Sequence, residues 1–262
     1  MFKLLAPMRR CLGVAAVFTL ATAPTSLSAQ SAAEHTALGD RDHVAMDAPS
    51  ALRHYEEAIK TDPRTYDALW KASREAVDVG LYAQDENERN RLYSLAEQYG
   101  RRAVEVNTRD AEGHFQLARS LGRKALTLGK KDQVKYAGEV REQALAALAI
   151  NPNDAGALHV MGMWNYNVLR LNGLTRFFAI RVLGGKTFES ARWEDAIRYM
   201  ESSASLDPKV LVHHLDLARV YAARDNKEKA REQYEIVIKG PVTDYNDKHY
   251  QAEAAQEIKD IR

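Results

Sequence analysis

The side chains in this sequence that could do chemistry are its eight histidines, its dispersed acids, two glycine-lysine pairs and an arginine- and aromatic-rich stretch at 168–190. Metal-assisted hydrolysis needs two histidines one helical turn apart with a glutamate beside the first, and acyl transfer needs a serine on a tight, glycine-framed turn. Neither spacing occurs, and the adjacent His213 and His214 point to different faces of any helix they occupy. Gly185-Lys186-Thr187 ends like a phosphate-binding loop, but such a loop needs a glycine five residues before Gly185, where Ile180 stands. Gly129-Lys130-Lys131 lacks the hydroxyl side chain that must follow the lysine. The acids fall at helix-surface spacing, where the default is a solvated face of i,i+4 pairs. The sequence therefore assigns no catalytic residue, no metal ligand and no cofactor, and points to binding rather than catalysis.

The stretch 168–190 is of another kind. It interleaves Leu174, Phe177, Phe178, Ile180, Val182 and Leu183 with Arg170, Arg176, Arg181 and Lys186. Two readings are open. Either Arg170, Phe177, Phe178 and Arg181 line an apolar pocket or rest on a membrane surface with their charges at the head groups, or the stretch packs over the core as an extra helix.

Basic and acidic residues number 37 and 36, a formal net charge of +1, so nothing global attracts nucleic acid. Only 7 prolines and 14 glycines, with plentiful Ala, Leu, Glu, Lys and Arg, favour helices. The start of the chain reads as a secretory signal peptide over residues 1–29. Lys3, Arg9 and Arg10 precede an apolar run from Cys11 to Ala23, and Ser26-Leu27-Ser28-Ala29 forms the cleavage site. The run is too short for a membrane span of roughly 20 residues. Its removal takes away three positive charges, leaving a mature net charge of −2, and takes Cys11, the single cysteine. The mature chain then has no disulfide, no thiolate metal site and no transmembrane segment. The expected location is outside the cytoplasm, periplasmic or extracellular.

Positioning any of these side chains falls to helices. Segments 54–70, 99–115, 143–159 and 200–215 each read as an apolar-periodic helix, a polar turn and a new helix. Pro63, Pro152 and Pro208 stand in three of the turns and Thr108 in the fourth. A proline there cannot continue the helix, and the residue before it is pushed out of the α region. The pattern resembles the tetratricopeptide repeat, a helix pair of about 34 residues with small side chains where the helices touch. Leu217-Ala218, Tyr221, Ala230 and Tyr234 carry the resemblance in the last unit, and Ala51, Tyr55, Ala58 and Pro63 in the first. Gly162, Ala196 and Pro208 carry it in the fourth. The turns are 45, 44 and 56 residues apart, then 34 from Pro208 to Val242, so the middle units hold insertions that hide the period.

The insertion pattern is similar to that of a narrower group, the regulator of microtubule dynamics family. The matching residues are 69–74, from Leu69 and Trp70 to Arg74, then 158–164, from Leu158 to Trp164, and Trp193 to Ala196 with Leu206-Asp207-Pro208. The resemblance covers most of residues 48–240. It implies links to microtubules, which an exported chain would not meet, and to organelle contact sites, with a repeat domain similar to a lipid-transfer module in one member.

The expected fold is all-α, a right-handed α-solenoid of four to five tetratricopeptide-like helix pairs. Residues 30–47 form a polar N-terminal segment or a partial first helix, 48–246 the array, and 247–262 a capping helix. In such a repeat the fifth and ninth positions of each unit face the concave side. The fifth positions are Trp70, Phe115, His159 and Leu215, and the ninth are Arg74, Arg119, Met163 and Arg219. This apolar ladder beside an arginine ladder suits an acidic amphiphile, or else the arginines pair with acids on neighbouring helices and the rings belong to the core. Two functions stand side by side: capture of a peptide or protein partner in the groove, and carriage of an anionic lipid or similar amphiphile.

Overall fold

The computed structural model describes residues 31–171, 180–181 and 186–261. Phe177 and Phe178 lie outside the described residues. Among those described there are eleven α-helices and no strand. They are α1 (Ala32–Val44), α2 (Ala48–Thr61), α3 (Tyr66–Leu81), α4 (Glu86–Val106), α5 (Ala111–Ala125), α6 (Lys130–Ile150), α7 (Ala155–Leu169), α8 (Trp193–Leu206), α9 (Leu211–Ala223), α10 (Lys227–Lys239) and α11 (Asp247–Glu257). Short 3₁₀ turns cover Lys186–Ser190 and Ile258–Asp260.

Local chemistry sets each boundary. The side chains of Ser31, Asp47, Asp85, Asp110, Asp154 and Asn226 accept the first free backbone N–H groups of the helices that follow them. Ser31 and Glu34 complete a reciprocal capping box on α1. At three of the turns between pairs one device recurs: Asp62, Asn107 and Asn151 each accept, on the side-chain oxygen, the N–H two residues on. Two histidines then brace the turns. His114 reaches Thr108 O and Gln143, while His214 reaches Pro208 O and Gln233.

The helices stack as antiparallel pairs, α1/α2, α3/α4, α5/α6, α7/α8 and α9/α10, with α11 as the cap. The chain is a right-handed α-solenoid. The first members of successive pairs also touch, α3 with α5, α5 with α7, α7 with α9 and α9 with α11, so they form the inner layer. Small residues permit this. A Cβ on Gly100 of α4 would lie 3.0 Å from the backbone Cα of Leu117 in α5, a contact only glycine leaves room for. Buried Ala51, Tyr55 and Ala58 fill the first interface, and Ala218, Tyr221, Ala230 and Tyr234 the last. The extra residues of the middle units go into length: α4 and α6 have 21 residues each, against 16 and 15 for α3 and α5.

The stack does not end open. Leu81 and Tyr82, at the end of α3, pack against the C-terminal core cluster. The Tyr82 hydroxyl donates to Glu253 at 2.7 Å, and its ring stacks on His249 with centroids 3.9 Å apart. Asn246, wholly buried, donates from Nδ2 to the backbone oxygen and to Oδ1 of Asp78, both at 3.2 Å. The concave side is therefore walled on the far side by α11.

A walled chamber on the concave face

Four-residue spacing brings the inner side chains into register, because such positions share one helix face. Arg74 and Asp78 of α3, Phe115, Arg119 and Arg123 of α5, His159 and Met163 of α7, and Asp216 of α9 all line one cavity of about 990 Å³. That is near the upper end of ordinary ligand pockets, about 300–1,000 Å³. Its apolar wall comes from α6 and α7, with Val134, Val140, Val160, Trp164 and Val168, and from Phe188 in the 3₁₀ turn. Trp164 is held by donating Nε1–H to Ala137 O at 2.7 Å and by an edge contact with Phe188. Phe115 spreads over Gly156, where a Cβ would come within 2.2 Å of its ring.

The opposite wall is ionic, and several of its charges are already paired with one another. Arg119 pairs with Asp78 at 2.5 Å. Burial works against the guanidinium charge, but Asp78 more than offsets this and raises the Arg119 pKa. Arg219 binds Asp216 of its own helix and Glu253 and Glu257 of α11 at 2.5–2.9 Å. Burial alone would raise the pKa of Asp216, yet its hydrogen bond from His159 at 2.9 Å and the nearby Arg219 hold it below the usual carboxylate range. Arg74 reaches Glu75 at 2.8 Å, and the same carboxylate lies 3.0 Å from His43. Beside His159, with ring centroids 5.0 Å apart, stands His213. Burial first, and the neighbouring His159 second, push the His213 pKa down to about 2, so its ring is neutral.

Of the eight inner positions expected from the sequence, Arg74, Phe115, Arg119, His159, Met163 and Arg219 line the chamber. Trp70 does not; it packs on the N-terminal core cluster with Lys71 and Arg74 over its ring. Leu215 is fully buried in the C-terminal core. From the 168–190 stretch, Arg170 lines the chamber and rests on the Tyr166 ring, bonding its hydroxyl, while Arg181 is exposed. Ile180 packs against the middle core cluster.

Several lining residues escaped sequence reasoning, Asp78, Asp216 and Arg123 among them. Arg123, one turn beyond Arg119, has no ion-pair partner among the described residues; its i+4 spacing was the available signal. Gln116 Oε1 and His213 Nδ1 are buried without a hydrogen-bond partner among the described residues. Nothing in their local sequence marks them.

The family model described as regulator of microtubule dynamics protein 1-3 matches residues 33–262. Among curated proteins the chain is similar to regulator of microtubule dynamics protein 1 of Bos taurus, 30% identical over 193 residues, which is 73% of this chain and 60% of the relative. The Caenorhabditis elegans protein of that name is 21% identical over 220 residues, 84% of this chain and 96% of the relative. The matched part of the chain thus spans about three fifths of the mammalian relatives. Among solved structures a thermophilic TPR protein of Thermus thermophilus superposes with a TM-score of 0.59 at 17% identity, over 86% of this chain and 99% of that one. PilF of Pseudomonas aeruginosa gives 0.50 at 14% identity, over 88% and 91%.

These relatives correct the expected location. They are regulators of microtubule dynamics from animals, and that kinship is no evidence for a periplasmic or extracellular protein. With the location falls the exclusion of microtubules that rested on it. The misleading feature was the basic start and short apolar block of residues 1–29, a combination that by itself does not select a compartment; it lies outside the described residues. No helix among the described residues is long and apolar enough to cross a membrane.

Proposed function

The chain belongs to the regulator of microtubule dynamics family, and on that premise we propose that it is a non-enzymatic adaptor holding a segment of a peptide or protein partner in the concave chamber. The observation that carries this reading is the chamber itself, about 990 Å³, with an apolar wall on one side and paired charges on the other. Phe115, Met163 and Trp164 take the apolar side chains of a bound segment, and the ionic wall faces its polar groups. Catalysis finds little support in the same wall. Asp78 and Asp216 are held by arginines, and a carboxylate so held is a poor general base.

A photoreactive amino acid placed at Phe115 or Met163, in cells that make the protein, tests this directly. Peptide adducts are expected at both positions and not at the exposed Ile238 of α10. Adducts of equal yield at Ile238, or none in the chamber, would overturn it.

One observation favours a second reading, carriage of an anionic amphiphile. Arg123 lines the chamber without an ionic partner among the described residues, beside the apolar wall. Native mass spectrometry with organic extraction separates the two. A co-purifying acidic lipid lost in Arg123→Gln puts the carrier first, and a lipid-free mass leaves the peptide reading in place.

A further inference from the structure

The inner wall of the chamber is closed by two kinds of contact. Between consecutive repeats, whole helix faces interlock, as where Ala196 and Met200 of α8 pack on α7 and Leu215 and Ala218 of α9 sit in the same cluster. Between α3 and α11 there is no such interlock. That junction rests on a few side chains: the Tyr82 hydroxyl on Glu253, the Tyr82 ring stacked on His249 and edge-on to Tyr250, and Asn246 on Asp78. Meanwhile α11 is fastened to its own side. Tyr250 and Ala254 are buried in the C-terminal core, Gln251 bonds Gly240 O, Arg219 bonds Glu253 and Glu257, and Tyr234 bonds Glu257. The residues beside the junction line the chamber from both sides, Asp78 and Arg119 on one, Thr243, Asp244, Asp247 and Tyr250 on the other.

We infer that the junction between α3 and α11 is a clasp: it parts while the solenoid flexes and each pair keeps its packing, to admit a bulky ligand sideways into the chamber, and then closes round it. A few hydrogen bonds and one ring stack, each contributing about 0.5–1.5 kcal/mol net, are the contacts that break most readily without loss of a core. Opening there takes the partly buried Leu81 and Tyr82 from the edge of an apolar cluster and uncovers the polar Asn246 and Asp78, without dividing the centre of a core. Opening between any two repeats would split the buried centre of one.

The test reads access without needing the ligand. In a Cys11→Ser background, Met163→Cys places a thiol in the chamber, and Val220→Cys places a reference thiol in the α9 core, fully buried. Each is challenged with a small maleimide and with a maleimide carrying a polyethylene glycol chain too wide for the closed chamber. Tyr82→Phe, which deletes the bond to Glu253 but keeps the ring, and Asn246→Ala are made separately and together. The expected result is at least a tenfold rise in labelling of Met163→Cys by the bulky reagent in the double variant, with intermediate rises in the singles. Labelling of Val220→Cys stays unchanged. A Met163→Cys rate that does not move, or one that moves in step with Val220→Cys, would overturn the clasp, the latter because it reports global unfolding. If the double variant does not fold, the single variants decide by the same comparison.

Discussion

Arg119 and His213 behave oppositely, and both can be tested one side chain at a time. Arg119 is charged inside the fold because Asp78 lies 2.5 Å away. Removing either partner leaves the other's charge buried without an opposite charge, Asp78 keeping only its bond from Asn246, at a cost of about 3–5 kcal/mol for a fully buried pair. Arg119 keeps about a fifth of its side-chain surface, so Arg119→Gln is expected near the lower end, a fall in melting temperature of roughly 6–12 °C. A calorimetric scan checks it, and a shift under about 2 °C would mean the pair is ornamental. His213 is neutral when folded, with its pKa pushed from 6.5 to about 2. Below pH 6.5 the unfolded chain takes up a proton at this position that the folded chain refuses. Its contribution is complete above pH 6.5 and is lost as pH falls, at up to about 1.4 kcal/mol per pH unit. Burial raises the pKa of Glu112 and of Asp154, which opposes this trend just above their ordinary range. The informative quantity is therefore the difference between the parent and His213→Gln. Denaturant titrations between about pH 5 and pH 6.5 should show a shallower loss of stability in the variant; parallel curves would remove His213 from the account.

Among the described elements, α1 is the most exposed to fraying, since it packs chiefly on α2 and otherwise joins the array through Asp40 with Lys71 and His43 with Glu75. Its hold at the N-terminus is the capping box of Ser31 and Glu34. Ser31→Ala should cost about 1 kcal/mol and should speed hydrogen exchange in the first two turns of α1 while leaving α9 untouched. Uniform change across the chain would argue against so local an effect. The long helices α4 and α6 pose a different problem, because their extra turns overhang the repeat core. Glu97 answers it. Buried in α4, it takes Lys124 from α5, Arg101 from α4 and the hydroxyl of Tyr136 from α6, and Arg101 continues to Glu139. Burial would raise its pKa, but Lys124 and Arg101 bring it below the ordinary value. Glu97→Gln is expected to loosen the N-terminal half of α6 first, seen as faster exchange at residues 131–140 ahead of any global loss. No preference for that half would place the overhang's stability elsewhere.

For the molecule as a whole, the stacking was legible and the closure was not. Turns at Pro63, Pro152 and Pro208, small residues such as Ala218 and Ala230, and four-residue inner spacing all derive from local sterics, so they survive in the sequence. The inner positions could be counted for the same reason. What each inner charge meets could not be read, because Asp78 and Arg119 are 41 positions apart and Arg219 and Glu257 are 38, distances at which no periodicity speaks. His114 and His214 were seen as scattered, yet both stand six residues after a turn carbonyl and do one job. The localisation reading failed differently, by weighing a short segment above the kinship of the remaining chain.

The junction of α3 with α11 has one more consequence, for the order in which the molecule comes into being. Tyr82 meets Glu253 across 171 positions, and Asp78 meets Asn246 across 168. Each helix pair can form as soon as its own residues are made, since its partners are near in the chain. The chamber cannot, because the residues that complete it follow their partners at the end of α3 by 168 and 171 positions, and closing so long a loop has its entropic cost before any contact returns it. During translation the concave face therefore stands open, and a partner present at the ribosome meets it before the wall exists.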